Sequence, residues 1–328
     1  MENRGRNVQQ KSARRGHVQG GGRLEWIDVA RGIGIIAVVA GHVWTKGPLR
    51  DALYSFHMPL FFLLSGLLSR PQPPGSFALR QLASQMRPYA AFLALLIIAD
   101  QIIEPLKGQR PIFNQWPEDM MPILLGGSWL RGPYTIFWFV PCLMAARILF
   151  NALLSHWPDP LDRRWLITII PVTLFAYLVG EMTQVSVLGL LTVPMAFVVL
   201  WAGAAWQMVR WKHWAWLPLG AIGLAGLSGL LPTLNMKAAD YGLPILSLAS
   251  GLATSLLIFR VSVHVASYGG WLAGVGRASL VIMYLHVAVI HYLSPHLDES
   301  WLLLNALLLP VAVYYLLRAT PVARRLFL

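Results

Sequence analysis

The sequence predicts an all-α, polytopic membrane protein: a single bundle of about ten transmembrane helices with both termini cytoplasmic. Two observations carry this. The 328 residues are 56% hydrophobic and 12% charged, with a mean hydropathy of +0.57, too apolar a balance for a soluble domain. The remaining charges fall in short stretches between apolar runs of about 20 residues, the length that crosses a hydrocarbon core. A net charge of +12 would suggest nucleic acid in a soluble protein. Here the basic residues sit where topology signals belong, so the expected surroundings are a lipid bilayer, with no nucleic-acid partner.

Residues 1–22 come first. Arg4, Arg6, Lys11, Arg14 and Arg15, with Gly20, Gly21 and Gly22, contain no apolar core of a signal peptide. This segment reads as a disordered basic cytoplasmic tail, and residues 23–328 as one membrane domain. Spans are expected near 27–46, 53–68, 88–104, 135–154, 164–180, 185–209, 214–232, 242–260, 278–293 and 300–318. An even count with an inside N-terminus puts the tail, Arg70/Arg80/Arg87, Arg163/Arg164, Arg210/Lys212, Arg260/Arg277 and Arg318/Arg324/Arg325 on one side. Most loop acids, including Asp51, Glu118, Asp119, Asp240, Asp298 and Glu299, fall on the other, which is the positive-inside asymmetry. The connection over 105–134 carries Trp116, Met120, Met121, Leu124 and Trp129 and reads as re-entrant or interfacial. Gly220, Gly223, Gly226 and Gly229 recur every third residue in the seventh span, a pattern suited to close helix packing. The lone Cys142 excludes an intrachain disulfide.

Functional interest concentrates in the first two spans. Asp28 and Arg31 open a hydrophobic segment, and ten uncharged residues separate Arg31 from His42. Eleven helical steps bring His42 to within roughly 20° of Arg31 on one face, about 16 Å further along the axis. Asp28 lies about 60° from Arg31 around the helix and can flank the guanidinium. The second span opens on Phe56-His57-Met58-Pro59. Ionisable groups at membrane depth are costly and mark a pathway or a reaction centre. His286 and His291 are about 140° apart around a helix, so they make no same-face metal pair, and no metal site is expected.

These residues resemble a known family: the integral-membrane acyltransferases of acyltransferase family 3, and within it the branch similar to fucose 4-O-acetylases. The resemblance rests on Arg23-Leu24-Glu25-Trp26-Ile27-Asp28-Val29-Ala30-Arg31-Gly32-Ile33-Gly34-Ile35, the spacing from Arg31 to His42, and Phe56-His57-Met58-Pro59-Leu60-Phe61-Phe62-Leu63-Leu64-Ser65-Gly66. Weaker similarities are Arg80 to Arg87-Pro88-Tyr89, Phe137-Trp138-Phe139-Val140-Pro141, and Gly276-Arg277-Ala278-Ser279-Leu280 leading to Tyr284-Leu285-His286. The resemblance implies about ten transmembrane helices, an acyl-CoA donor (acetyl-CoA foremost) on the cytoplasmic side, no permanently bound cofactor, and a carbohydrate acceptor in a bacterial inner membrane.

Within that resemblance the residues take expected roles. Acyl transfer to an alcohol needs a base for the hydroxyl and stabilisation of the tetrahedral oxyanion. His42, kept neutral by burial, suits the base. Arg31, always charged, suits a CoA phosphate or pantetheine amide, and the distance between the two residues is comparable to the reach of a pantetheine arm. Asp28 supports Arg31, and His57 is expected to orient His42, bind acceptor or relay a proton. Arg80 and Arg87 are positive-inside anchors that could also contact CoA phosphates. Ser65-Gly66 reads as a packing feature. The rival function is a transporter or flippase of an envelope precursor, since buried charges in such a bundle also suit substrate passage.

Overall fold

The computed structural model describes residues 25–209 and 211–328. The basic tail read over 1–22, and Arg210, lie outside the described residues. Among the described residues the regular structure is helical, apart from one isolated bridge between Asn235 and Asp240.

The chain begins with α1 (Glu25–Val43), then the short α2 (Pro48–Tyr54) and α3 (His57–Leu67). α4 (Pro74–Leu106) has 33 residues, about 50 Å at 1.5 Å per residue, and therefore outruns a hydrocarbon core of about 30 Å. The third span expected near 88–104 is thus the distal part of a longer rod, and its proximal part carries Arg80 and Arg87 out of the apolar zone. The segment after α4 holds only the six-residue α5 (Met120–Leu125), with Trp116, Met120, Met121 and Leu124 exposed, a composition suited to an interface. A 3-10 stretch (Gly132–Trp138) runs into α6 (Phe139–His156), and α7 (Arg163–Met182) follows. Asp162 caps α7, its carboxylate accepting from the backbone N–H of Arg164 at 2.9 Å. Another 3-10 stretch (Val187–Thr192) leads into α8 (Val193–Trp206). Then come α9 (Trp216–Leu227), α10 (Leu246–Val265), α11 (Gly270–Arg277), α12 (Ser279–Leu293), α13 (Glu299–Ala319) and α14 (Pro321–Phe327).

Seven of these helical stretches are long and apolar enough to cross a membrane, or up to eight if α11 and α12, bent by 75° at their junction, count as one span. Two expected spans come out short: α3 has 11 residues and α9 has 12, each under 20 Å at about 1.5 Å per residue. α7 and α13 lie at the periphery, with Ile167, Leu174, Leu178, Leu308 and Leu316 exposed, which suits a lipid-facing surface.

Glycine sets the two tightest helix contacts. A Cβ on Gly276 would stand 1.8 Å from the carbonyl oxygen of Asp28, and one on Gly32 would stand 2.3 Å from that of Leu272, so α11 lies directly against α1. Gly66 and Gly203 do the same for α3 and α8, each facing a backbone oxygen of the other helix, at 1.9 Å from Leu200 and 2.1 Å from Leu63. Such approaches replace side-chain bulk with backbone van der Waals contact. Of the glycines repeating in the seventh span, Gly223 and Gly226 face Thr254 and Ser250 closely, while Gly220 and Gly229 have open space.

The core is aromatic around α12. Tyr284 stacks on Phe92 of α4 (centroids 4.7 Å, 21°) and packs beside Phe137 at 5.0 Å, and all three rings are fully buried. Further along, buried Asp100 of α4 accepts from the Tyr292 hydroxyl at 2.9 Å and from the Ile112 N–H at 2.8 Å. Glu104 meets Lys107 at 3.2 Å and His291 at 3.4 Å. These contacts fix the position of α12, which carries His286.

Candidate active site

α1 delivers both ends of the site, as the eleven-residue spacing requires. Asp28 is buried against α11, and its Oδ1 lies 3.6 Å from Nη1 of Arg31, whose side chain is 34% exposed. Arg31 opens into a cavity of ≈ 430 Å³. Arg147 of α6 and Arg277 at the end of α11 line the same cavity, together with Gln85, Ser65 and Ser279. No carboxylate side chain is among the described lining residues. The same lining carries the apolar Ile35, Val38, Phe61, Phe139 and Leu143. Three guanidinium groups in one lining with these apolar residues suit a phosphorylated head with a slender, largely apolar arm.

The other end of α1 brings His42 into a second, smaller cavity of ≈ 60 Å³, shared with Tyr54, His57, Thr135, Asn235 and Lys237. The ring of His286 lies 5.1 Å from that of His42, centroid to centroid. Tyr54 makes ring contact with both expected histidines, at 6.4 Å from His42 and 4.6 Å from His57. His57 Nδ1 sits 2.7 Å from the Leu53 carbonyl, and His286 Nδ1 sits 2.8 Å from the Ile282 carbonyl. A carbonyl only accepts, so each Nδ1 carries the hydrogen, and in the neutral ring the lone pair is left on Nε2. The Nε2 of fully buried His286 has no hydrogen-bond partner in the protein. An acceptor nitrogen beside His42 can take a hydrogen bond from its ring N–H and so fix which nitrogen of His42 faces the cavity, the orienting role that a general base requires.

Lys237 donates to Thr135 Oγ1. It lies on the loop between α9 and α10, outside the spanning helices, and burial lowers its pKa from the usual lysine value. It is a desolvated cation near the imidazole and can answer negative charge developing there. Among the described residues, no group of three or more His, Cys, Asp and Glu side chains is placed to share a metal ion.

The structure therefore brings together Asp28 with Arg31, and His42 with His57, at opposite ends of one helix. It does not bring Arg80 or Arg87 to the cavity. Both are exposed, Arg80 donating to Gln72 Oε1 at 2.5 Å and Arg87 to the Arg325 carbonyl at 3.2 Å. Four participants escaped the sequence reading as site residues. His286 and Arg277 sit within the weakly similar late motifs, so the signal was present without its role. Arg147 and Lys237 carry no local signal, because only tertiary packing puts them beside α1.

Compared with known families, residues 24–318 match the acyltransferase 3 family, described as an acyltransferase domain. No curated protein and no solved structure matches the chain.

Proposed function

Since the chain belongs to the acyltransferase 3 family and is a multi-pass membrane acyltransferase, we propose that it transfers an acyl group, foremost acetyl, from acyl-CoA to a hydroxyl of an envelope or exported carbohydrate. The observation that carries this reading is the division of labour along α1: three arginines around a large cavity at one end, and a histidine pair in a small cavity at the other. Arg31, Arg147 and Arg277 hold the CoA phosphates, and the pantetheine arm runs along the apolar wall for the roughly 16 Å to His42.

His42 then acts as general base. The acceptor hydroxyl gives its proton to the imidazole as its oxygen attacks the thioester carbonyl carbon. The resulting oxyanion is met by Lys237, with its charge uncompensated by any carboxylate among the described cavity-lining residues. On collapse the carbon–sulfur bond breaks, and the imidazolium returns the proton to the leaving thiolate, releasing CoA and the O-ester. His286 holds His42 in register, and His57 and Tyr54 shape the acceptor side.

The arginine end faces the cytoplasm in this reading, with about ten spans, short α3 and α9 included, and both termini inside a bacterial inner membrane; the placement of basic residues supports it. The carbohydrate acceptor rests on the likeness to the fucose 4-O-acetylase branch. Family membership favours transfer over the transporter reading. The test is incubation of detergent-purified protein with radiolabelled acetyl-CoA and an envelope-glycan extract. Alkali-labile label on carbohydrate supports the reading; label confined to free acetate refutes a carbohydrate acceptor.

A further inference from the structure

The two cavities share Met58 and Ile136 in their linings. Both residues are buried, at 6% and 3% exposure, and face both the donor cavity and the histidine cavity. We infer that Met58 and Ile136 form a size filter that admits a two-carbon acyl group to His42 and turns back longer chains. The inference rests on the acyl-CoA reading above.

The two side chains differ in stiffness. Ile136 is β-branched and held in the 3-10 stretch Gly132–Trp138, which begins Gly-Pro, so its rotamer is restricted. Met58 is unbranched and can swing, but its backbone is fixed between His57, anchored on Leu53, and Pro59. Passage of the acyl group thus depends on one movable wall facing one rigid wall.

The space beyond the wall sets the limit. The histidine cavity measures ≈ 60 Å³ against ≈ 430 Å³ for the donor cavity, so it is the narrower of the two. The incoming hydroxyl approaches from the Asn235 and Lys237 side of that lining. Each added methylene brings the acyl group harder against Met58 and the tilted ring of Tyr54, both in this lining. A well-packed pocket discriminates by about 10- to 200-fold per methylene.

The test measures CoA release, as free thiol, from acetyl-, propionyl-, butyryl- and hexanoyl-CoA with the envelope-glycan extract. It compares the native chain with Met58→Ala, Ile136→Val and the filling variant Ile136→Phe. CoA affinity by calorimetry reports folding of the donor cavity in each. The filter predicts that native kcat/KM falls at least ~10-fold per added methylene. Met58→Ala or Ile136→Val should then raise butyryl-CoA turnover relative to acetyl-CoA at least ~10-fold, and Ile136→Phe should suppress acetyl transfer while CoA still binds. Native turnover indifferent to chain length, or an unchanged preference in variants that bind CoA normally, overturns the filter and leaves the acyltransferase reading standing. A native chain that neither binds CoA nor releases it from any donor overturns the donor reading and the filter with it.

Discussion

Neutralising the arginines of the large cavity should weaken donor binding without slowing the chemical step. Arg31, Arg147 and Arg277 line one cavity of ≈ 430 Å³, and no acid side chain is among its described lining residues. A charge-assisted hydrogen bond to a phosphate contributes about 1.5–3 kcal/mol, so Arg147→Gln or Arg277→Gln should raise the Kd for CoA about 10- to 150-fold, at 1.4 kcal/mol per factor of ten. Arg31→Gln should fall at the low end, because Asp28, at 3.6 Å, already shares its charge. The double variant Arg147→Gln with Arg277→Gln should cost less than the sum, since both act on one ligand. Calorimetry on detergent-purified protein reads these values directly. Repeating it at rising ionic strength should shrink the differences, as screening demands. Arg80→Gln and Arg87→Gln, outside the cavity, should change Kd less than about 2-fold, within the scatter of exposed charges. Equal Kd values for native chain, Arg147→Gln and Arg277→Gln would refute the assignment of this cavity to CoA.

Other consequences can be checked alongside. His286→Phe keeps a ring in place but removes the acceptor nitrogen beside His42, so kcat should fall by about 10²-fold or more while the donor Kd holds; unaltered kcat would show that His286 does not orient the base. Gly276→Ala forces a Cβ to within 1.8 Å of the Asp28 carbonyl and should lower stability by about 3 kcal/mol or more. Gly220→Ala, in open space within α9, should raise it by about 0.5–1 kcal/mol, so thermal melts in detergent that move the same way for both would contradict the packing. For Lys237, burial depresses the folded pKa below the unfolded value, so between those values the unfolded chain binds more protons and stability rises with pH. The penalty for its charge is full below the folded pKa. Lys237→Met should therefore raise the melting temperature at neutral pH while lowering kcat, and the gain in melting temperature should fade as pH climbs toward the ordinary lysine range. A variant that melts lower than the native chain at neutral pH would contradict this.

What the sequence made legible was whatever a single helix encodes. The 3.6-residue period places Arg31 and His42 on one face, and the structure keeps them in one helix, each at a cavity. The apolar runs gave the positions of the helices, because burial in lipid demands continuous hydrophobicity. Helix lengths were less legible. The segment at 57–67 ends against the backbone of α8 through Gly66, and Pro74–Leu106 continues as helix past the apolar zone into polar sequence, since backbone hydrogen bonding does not stop where hydropathy does. Arg80 and Arg87, read as positive-inside anchors that could also contact CoA phosphates, are exposed and outside the cavity lining. The cations that line the cavity come from α1 (Arg31), from α6 (Arg147) and from the end of α11 (Arg277), and the last two are placed there by tertiary packing. Likewise His286 lies 244 residues from His42 along the chain, and only tertiary contacts, the aromatic stack of Phe92, Phe137 and Tyr284 and the Asp100 and Glu104 contacts to Tyr292 and His291 among them, bring its helix alongside.

The most direct measurement of the central claim is acetyl transfer from radiolabelled acetyl-CoA to the envelope-glycan extract by the native chain and by His42→Ala, with CoA affinity measured on the same preparations. If His42 is the general base, transfer falls by about 10²- to 10⁴-fold while CoA binds as before. Transfer by His42→Ala at the native rate would contradict the account and move the catalytic base elsewhere in the bundle.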